Sequence, residues 1–348
     1  MDDKIIDRMA RWLLHGGAQI GVGPEAGGVA GWLDDAGTPA FAYTEITGYY
    51  LTCLAFMKEI AVSDPAVSLN ANRALAWLHA KFCGKEAPLT RYYSARGVAD
   101  WRNDAMFSFD LAMVFRGLAD LQGLADAGLV DKHLRLETSC AVEQQLRKCI
   151  SSDRHILPYA GGDAARIPSR WSTRSGPFQL KTAAVLLRSG QALKEDLREA
   201  SFRTCPTWRA PFVVRSGQMH AALYAIEGLI LLGLNGDGDA WAAALAQYER
   251  CVAQHGCARS DVAAQLLRAG CVLRREGLSG SWEWESTLAA LATAVTNFAG
   301  EDGQVYYAAP AARLRRHQNV WSAMFAYQAL TYYMRSAGRT DRAWRLLC

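Results

Sequence analysis

The stretch EITGYYLTCLAF, residues 45–56, is apolar on nearly every face of a helix, and its one charge, Glu45, stands at the start. A helix of this kind must be enclosed by protein on all sides. In contrast, VDKHLRLETSCAVEQQLRKC, residues 130–149, carries a polar face and belongs at a surface. The chain alternates between these two types. Helical periodicity predicts twelve helices, over residues 4–15, 45–60, 66–82, 103–122, 133–149, 177–190, 191–201, 218–234, 239–253, 260–275, 282–298 and 318–335. The even-numbered members are rich in small and apolar residues all round, as in GQMHAALYAIEGLILLG and NVWSAMFAYQALTYY, whereas most odd-numbered members have a polar face. This alternation predicts an inner ring of helices within an outer one. The strand-like stretches HILPY (155–159) and QVYYAA (304–309) are brief and fall in connections.

Six hairpins in this alternation resemble the (α/α)6 toroid, or six-hairpin barrel, over essentially the whole chain. The resemblance implies an all-α fold and a single domain spanning residues 1–348, with long loops on one face. A superhelical solenoid of paired helices would also alternate, but its repeats would be more regular than these unevenly spaced helix starts, for which no consensus can be written. Toroids of this type are common among glycoside hydrolases, polysaccharide lyases and sugar epimerases, so the resemblance implies a carbohydrate-active enzyme. No single family's motif set is matched.

Composition agrees with a compact body. Hydrophobic residues make up 51% of the 348, charged residues 21%, and Pro only 10 positions, which leaves no sign of a disordered arm. The formal charge of +4 is small and the basic residues are scattered, so nucleic acid is not an expected partner. The densest basic spot, RLRRH at 313–317, reads as a solvated loop. The N-terminal MDDKIIDRMARWLLHGG does not resemble a secretory signal, and the most apolar stretch, residues 221–234, contains Glu227 and is too short to span a bilayer. Nine Cys without a CxxC pair read as free thiols of a reducing, cytoplasmic setting. Seven His without HExxH or comparable spacing predict no metal site, and the Gly-rich residues 16–31 match neither GxGxxG after a strand nor GxxxxGK[ST]. No cofactor is expected. Cys205 and Cys257 are expected in loops, where a thiol near a His could serve as nucleophile.

Hairpin connectivity makes all inner helices run the same way. The loops that lead into them are the long ones, at 16–44, 84–102, 150–176, 202–217 and 299–317, which predicts a cleft on the N-terminal face of the inner ring. Glu45 lies in the first turn of its helix, with Thr44 expected as cap and Tyr49 one turn deeper. Other inner helices open with related groups: Trp101, Arg102 and Asp104; His220; Arg259 and Asp261, with Gln265 one turn on; and His317, Asn319 and Trp321. Tyr93, Tyr159, Trp171 and Arg174 join them from the loops, as do Arg91, Arg96, Arg166, Arg170 and Arg215. Each has a structural explanation taken singly, as a dipole-compensating carboxylate or a hydrogen-bonded core imidazole. Repetition around one rim is what points to a site.

Flat rings beside Arg, Asn and carboxylates suit sugar faces and hydroxyls, and converging Arg favours an anionic saccharide. Glycoside hydrolysis needs two carboxyl groups, for which Glu45, Asp104 and Asp261 are the candidates. A first-turn carboxylate is expected to have a lowered pKa and to serve as base or nucleophile. Elimination or epimerisation would instead use Tyr and His chemistry, drawing on Tyr49, Tyr93, Tyr159, His220 and His317. A terpene-type cyclase lacks its DDxxD signature here, and a noncatalytic glycan- or protein-binding scaffold would show rim aromatics without a close acid and base.

Overall fold

The computed structural model describes residues 4–347 apart from residues 96, 164, 189–192, 211, 214–216, 255–257, 279–282, 310–315, 336–342 and 344–345. In chain order the α-helices are α1 (Lys4–His15), α2 (Thr44–Glu59), α3 (Ala66–Phe82), α4 (Ser108–Asp120), α5 (Gln122–Asp126), α6 (Lys132–Arg147), α7 (Gln179–Arg188), α8 (Glu195–Arg209), α9 (Met219–Leu234), α10 (Gly238–Gln254), α11 (Ser260–Arg275), α12 (Trp284–Thr296) and α13 (Val320–Met334). Apart from the short α5, they form an (α/α)6 toroid. Around the inner ring α2 packs on α4, α4 on α7, α7 on α9, α9 on α11, α11 on α13, and α13 closes back onto α2. No helix among the described residues is long and apolar enough to cross a membrane.

Burial follows the alternation in the sequence. Every residue from Thr44 to Met57 in α2, from Ser108 to Leu118 in α4 and from Ser260 to Leu273 in α11 is buried. The outer α6 instead buries Arg135, Thr138, Val142, Glu143 and Leu146, the spacing of one helical face. Two inner contacts depend on glycine. A Cβ on Gly48 of α2 would sit 2.6 Å from the Val114 nitrogen of α4, and one on Gly117 of α4 would strike the carbonyl of Gly48. Gly228 of α9 likewise lies against the Leu180–Lys181 peptide of α7.

The loops on the N-terminal face are tied together by two-residue antiparallel ribbons. β2 (Ala42–Tyr43), leading into α2, pairs with β3 (Arg91–Tyr92) in the next loop. β4 (Met106–Phe107), leading into α4, pairs with β5 (Tyr159–Ala160), and β6 (Gln318–Asn319), leading into α13, pairs with β1 (Trp32–Leu33). A single bridge joins Arg259 to Ala308 in the same manner before α11. Each pairing lashes the start of an inner helix to a neighbouring loop, which fixes the first helical turns relative to one another.

Several details depart from the sequence reading. The predicted helix from 103 begins at Ser108, because Trp101–Asp104 forms a separate 3-10 turn capped by Asp100, whose side chain accepts from the Arg102 nitrogen, and β4 intervenes. The helix predicted over 191–201 is α8, which runs through Pro206 and carries Cys205 into a buried position. Burial pushes the Cys205 thiol up to about 12, so it is no exposed loop nucleophile. Cys257, Arg96, Arg215 and most of the basic run at 313–317 lie outside the described residues.

Candidate active site

The first turns of the inner helices surround a cleft of about 300 Å³, at the small end of the ~300–1,000 Å³ usual for ligand sites. Its lining includes Tyr43 and Glu45 at the start of α2, Phe109 and Asp110 at the start of α4, His220 and Tyr224 on α9, Arg259 beside α11 and Trp321 on α13. Loops add Arg91, Trp101, Arg102, Arg170, Trp171 and Tyr307. By the order of the ring, α2 and α4 stand opposite α9 and α11.

Glu45 and Asp110 interact with each other, and both are buried. Burial raises Glu45 to about 7, against the opposing pull of a hydrogen bond from Tyr43 and of the Lys181 and Arg91 charges. Burial, then the Glu45 charge, raises Asp110 well above the usual carboxylate range, and Arg91 and Arg102 do not offset this. Two neighbouring carboxyl groups in a poorly solvated site cannot both ionise near neutrality. Burial and the Glu45 charge thus favour the protonated form of Asp110, beside a Glu45 raised to about 7. The expectation that Glu45 would be lowered by its helix N-terminus is wrong in sign.

His220 faces this pair from the opposite side. Burial, opposed by Asp261, lowers its pKa to about 4, so the imidazole is neutral at physiological pH. Its Nδ1 lies 2.6 Å from Gln265 Oε1 and 3.4 Å from Asp261 Oδ2. Asp261 is fully buried and bound by Arg259, at 3.0 Å from Nε and 2.5 Å from a terminal nitrogen. Burial works against its charge, but His220, where it is protonated in acid, and the Arg259 guanidinium overcome this and hold it below the usual range. It is an anchored anion outside the cleft lining, not a proton donor.

The other candidates divide by position. Trp101, Arg102, Trp171, Arg259 and Trp321 line the cleft with Glu45 and His220. Tyr49 lies beneath it, its hydroxyl accepting from Lys181 Nζ at 3.0 Å. Gln265 and Asn319 are fully buried, and Asn319 caps α13 by accepting from the Ser322 nitrogen at 2.8 Å. Tyr93 donates to Asp100 at 2.8 Å, Tyr159 packs on Phe107, and His317 stacks on Tyr307 with ring centroids 5.1 Å apart. These three, like the exposed Arg174, are not among the lining residues. Asp104 is absent from the lining as well, because it ends the 3-10 turn four residues before α4. Thr44 does not cap α2, since its hydroxyl donates to the Leu89 carbonyl at 2.6 Å.

Sequence reasoning missed Asp110, which occupies the third position of α4 much as Glu45 occupies the second of α2; placing the helix start at 103 hid it. It also missed a fully buried charged cluster under the cleft. Lys181 Nζ donates to Glu227 Oε2 at 2.7 Å, and Arg268 Nε donates to Glu227 Oε1 at 2.9 Å. The signal was present, because a charge in the middle of an otherwise apolar inner helix must find a buried partner.

The fold and cleft define a class: the (α/α)6 toroid seen in carbohydrate-active enzymes. A cellobiose 2-epimerase from Bacillus thermoamylovorans matches with a TM-score of 0.67 at 10% identity, over 94% of this chain and 98% of that one. A GH76A α-1,6-mannanase from Salegentibacter sp. matches at 0.63 and 11%, over 95% and 98%. An unsaturated glucuronyl hydrolase from Streptococcus agalactiae matches at 0.63 and 11%, over 97% and 92%. No family model matches the sequence, and no curated protein matches it. At such identities the likeness is one of fold.

Proposed function

We propose that the protein is a glycoside hydrolase acting on a short acidic saccharide. The observation that carries this reading is the Asp110–Glu45 pair, two buried neighbouring carboxyl groups, both pushed toward the protonated form, in a cleft of aromatic rings and guanidinium groups. Asp110, pushed toward its protonated form by burial and the Glu45 charge, protonates the departing glycosidic oxygen, the Arg91 and Arg102 charges favour the carboxylate left behind, and neutral His220 on the opposite side removes a proton from the attacking water. Trp101, Trp171 and Trp321 offer flat apolar surfaces to sugar rings.

Charge supports the acidic substrate. Arg91 and Arg102 share one carboxylate, Asp100, at 3.2 and 3.0 Å, so that with Arg170 the guanidinium groups on that side of the cleft outnumber the anions even when Glu45 is ionised. Arg170 adds a further guanidinium near the Trp101 ring. A sugar carboxylate would be attracted there. The similar solved structures are named for reactions on sugars, and one is named for a glucuronyl substrate.

A second reading, epimerisation or elimination, is favoured by one observation: a neutral His faces an acid across the cleft, as proton removal and return would need. Incubation with acidic and neutral oligosaccharides, read by mass, separates the two. A gain of water supports hydrolysis; an unsaturated product without water, or deuterium uptake at unchanged connectivity, replaces it. Binding without turnover across the panel would make the protein a glycan-binding scaffold.

A further inference from the structure

Gln265 lies between two groups that determine how its amide is turned. Its Nε2 donates to Glu227 Oε1 at 3.2 Å, and its Oε1 is 2.6 Å from His220 Nδ1. Burial opposes the charge on Glu227, but Arg268 and Lys181 overcome this and hold its pKa below the ordinary value. An ionised carboxylate only accepts hydrogen bonds, so the NH2 of Gln265 must face Glu227. The amide oxygen is thereby turned toward His220.

An amide oxygen also only accepts, so the proton between these two residues belongs to Nδ1. The second neighbour of the same nitrogen, Asp261 Oδ2 at 3.4 Å, is an acceptor as well. A neutral imidazole carries one proton, and with Nδ1 holding it, Nε2 keeps a lone pair. His220 lines the cleft with 11% of its side chain exposed, and among the described residues no hydrogen bond is made by Nε2. An unconstrained histidine favours the opposite tautomer, so the surroundings must impose this one.

We propose that Glu227 and Gln265 act as a relay that sets the tautomer of His220, holding it as the Nδ1–H imidazole so that Nε2 is the proton acceptor of the cleft. Gln265 and Glu227 are positioning residues. Neither lines the cleft; they act through the ring. The catalytic meaning of the relay rests on the hydrolase reading above, but the tautomer itself does not.

The test is a long-range 1H–15N correlation spectrum of the full chain labelled at histidine, recorded near pH 7 without any saccharide. The His220 signals are identified by their loss in His220→Gln. Expected is a protonated, pyrrole-type Nδ1 with a bare, pyridine-type Nε2, and in Gln265→Met a shift of population toward the Nε2–H form. A wild-type His220 protonated at Nε2, or doubly protonated, overturns the relay, as do unchanged His220 shifts in a folded Gln265→Met variant. The wild-type spectrum decides the tautomer even if that variant does not fold. Failure of turnover on the saccharide panel with the expected tautomer would remove the hydrolase reading alone.

Discussion

At position 45 two effects compete for one carboxyl group. A helix N-terminus favours the anion by roughly 0.3–1 kcal/mol, whereas burial takes the group from its ordinary 4.5 to about 7, equivalent to about 3 kcal/mol. Burial wins, and the consequence for stability has a definite sign. The folded chain holds this proton more tightly than the unfolded one, so the associated stability is full below about 4.5 and is lost as pH rises through about 7. Glu45→Gln should therefore be more stable to urea than the wild type at pH 8, by about 3 kcal/mol, with no gain at pH 4. An equal gain at both pH values would contradict the assignment. The same variant removes the charge that raises Asp110, so the alkaline limb of kcat/KM should move to lower pH. The acid limb should stay near 4, where His220 takes up a proton. Glu45 and His220 were legible in the sequence from their places at helix starts. The sign of the Glu45 shift was not, since it depends on how much water the assembled ring excludes.

Among the helices, the inner contact between α2 and α4 carries the strictest packing demand. A Cβ on Gly117 would meet the Gly48 carbonyl and come within 3.0 Å of the Leu51 Cβ, neither of which is a flexible side-chain end. Gly117→Ala should cost ~1–3 kcal/mol through overpacking, despite the better helix propensity of Ala. Gly238, at the start of α10 with nothing within 4 Å of a built Cβ, is the control, and its change to Ala should stay within about 0.5 kcal/mol of the wild type. Urea midpoints at constant m-value would report both, and a neutral Gly117→Ala would mean that the helices can move apart. Helix existence was legible because an enclosed helix and an exposed one need different residues on their faces. Boundaries were less so. NDAMFSFDLAMVF reads as one apolar helix, yet the 3-10 turn and the pairing of β4 with β5 consume its first residues, and that pairing partner lies about fifty residues away in the chain. The five-residue error put Asp104 forward and concealed Asp110.

For the whole molecule, closure of the ring from α13 onto α2 brings residues at or just before the starts of the inner helices to one cleft. The one-sided long loops made that face legible in advance; the grouping of residues across it was not, because it joins side chains more than a hundred positions apart. This geometry has a stereochemical consequence. Both carboxyl groups belong to one side of the ring and the base to the other, so water attacks away from the departing oxygen, and the first-formed sugar should have inverted anomeric configuration, as seen by proton NMR within the first turnovers. Retention would mean two successive inversions through a covalent glycosyl-enzyme, with the acid residue turning base for the incoming water, and would exclude the role given to His220. Because toroids host several chemistries, fold alone cannot decide among them. The most direct measurement is the turnover of Asp110→Asn on a saccharide that the wild type cleaves, with binding followed separately by calorimetry. Loss of the general acid predicts a fall in kcat of roughly 10²- to 10⁴-fold with affinity little changed. A kcat within a few-fold of the wild type would contradict the account.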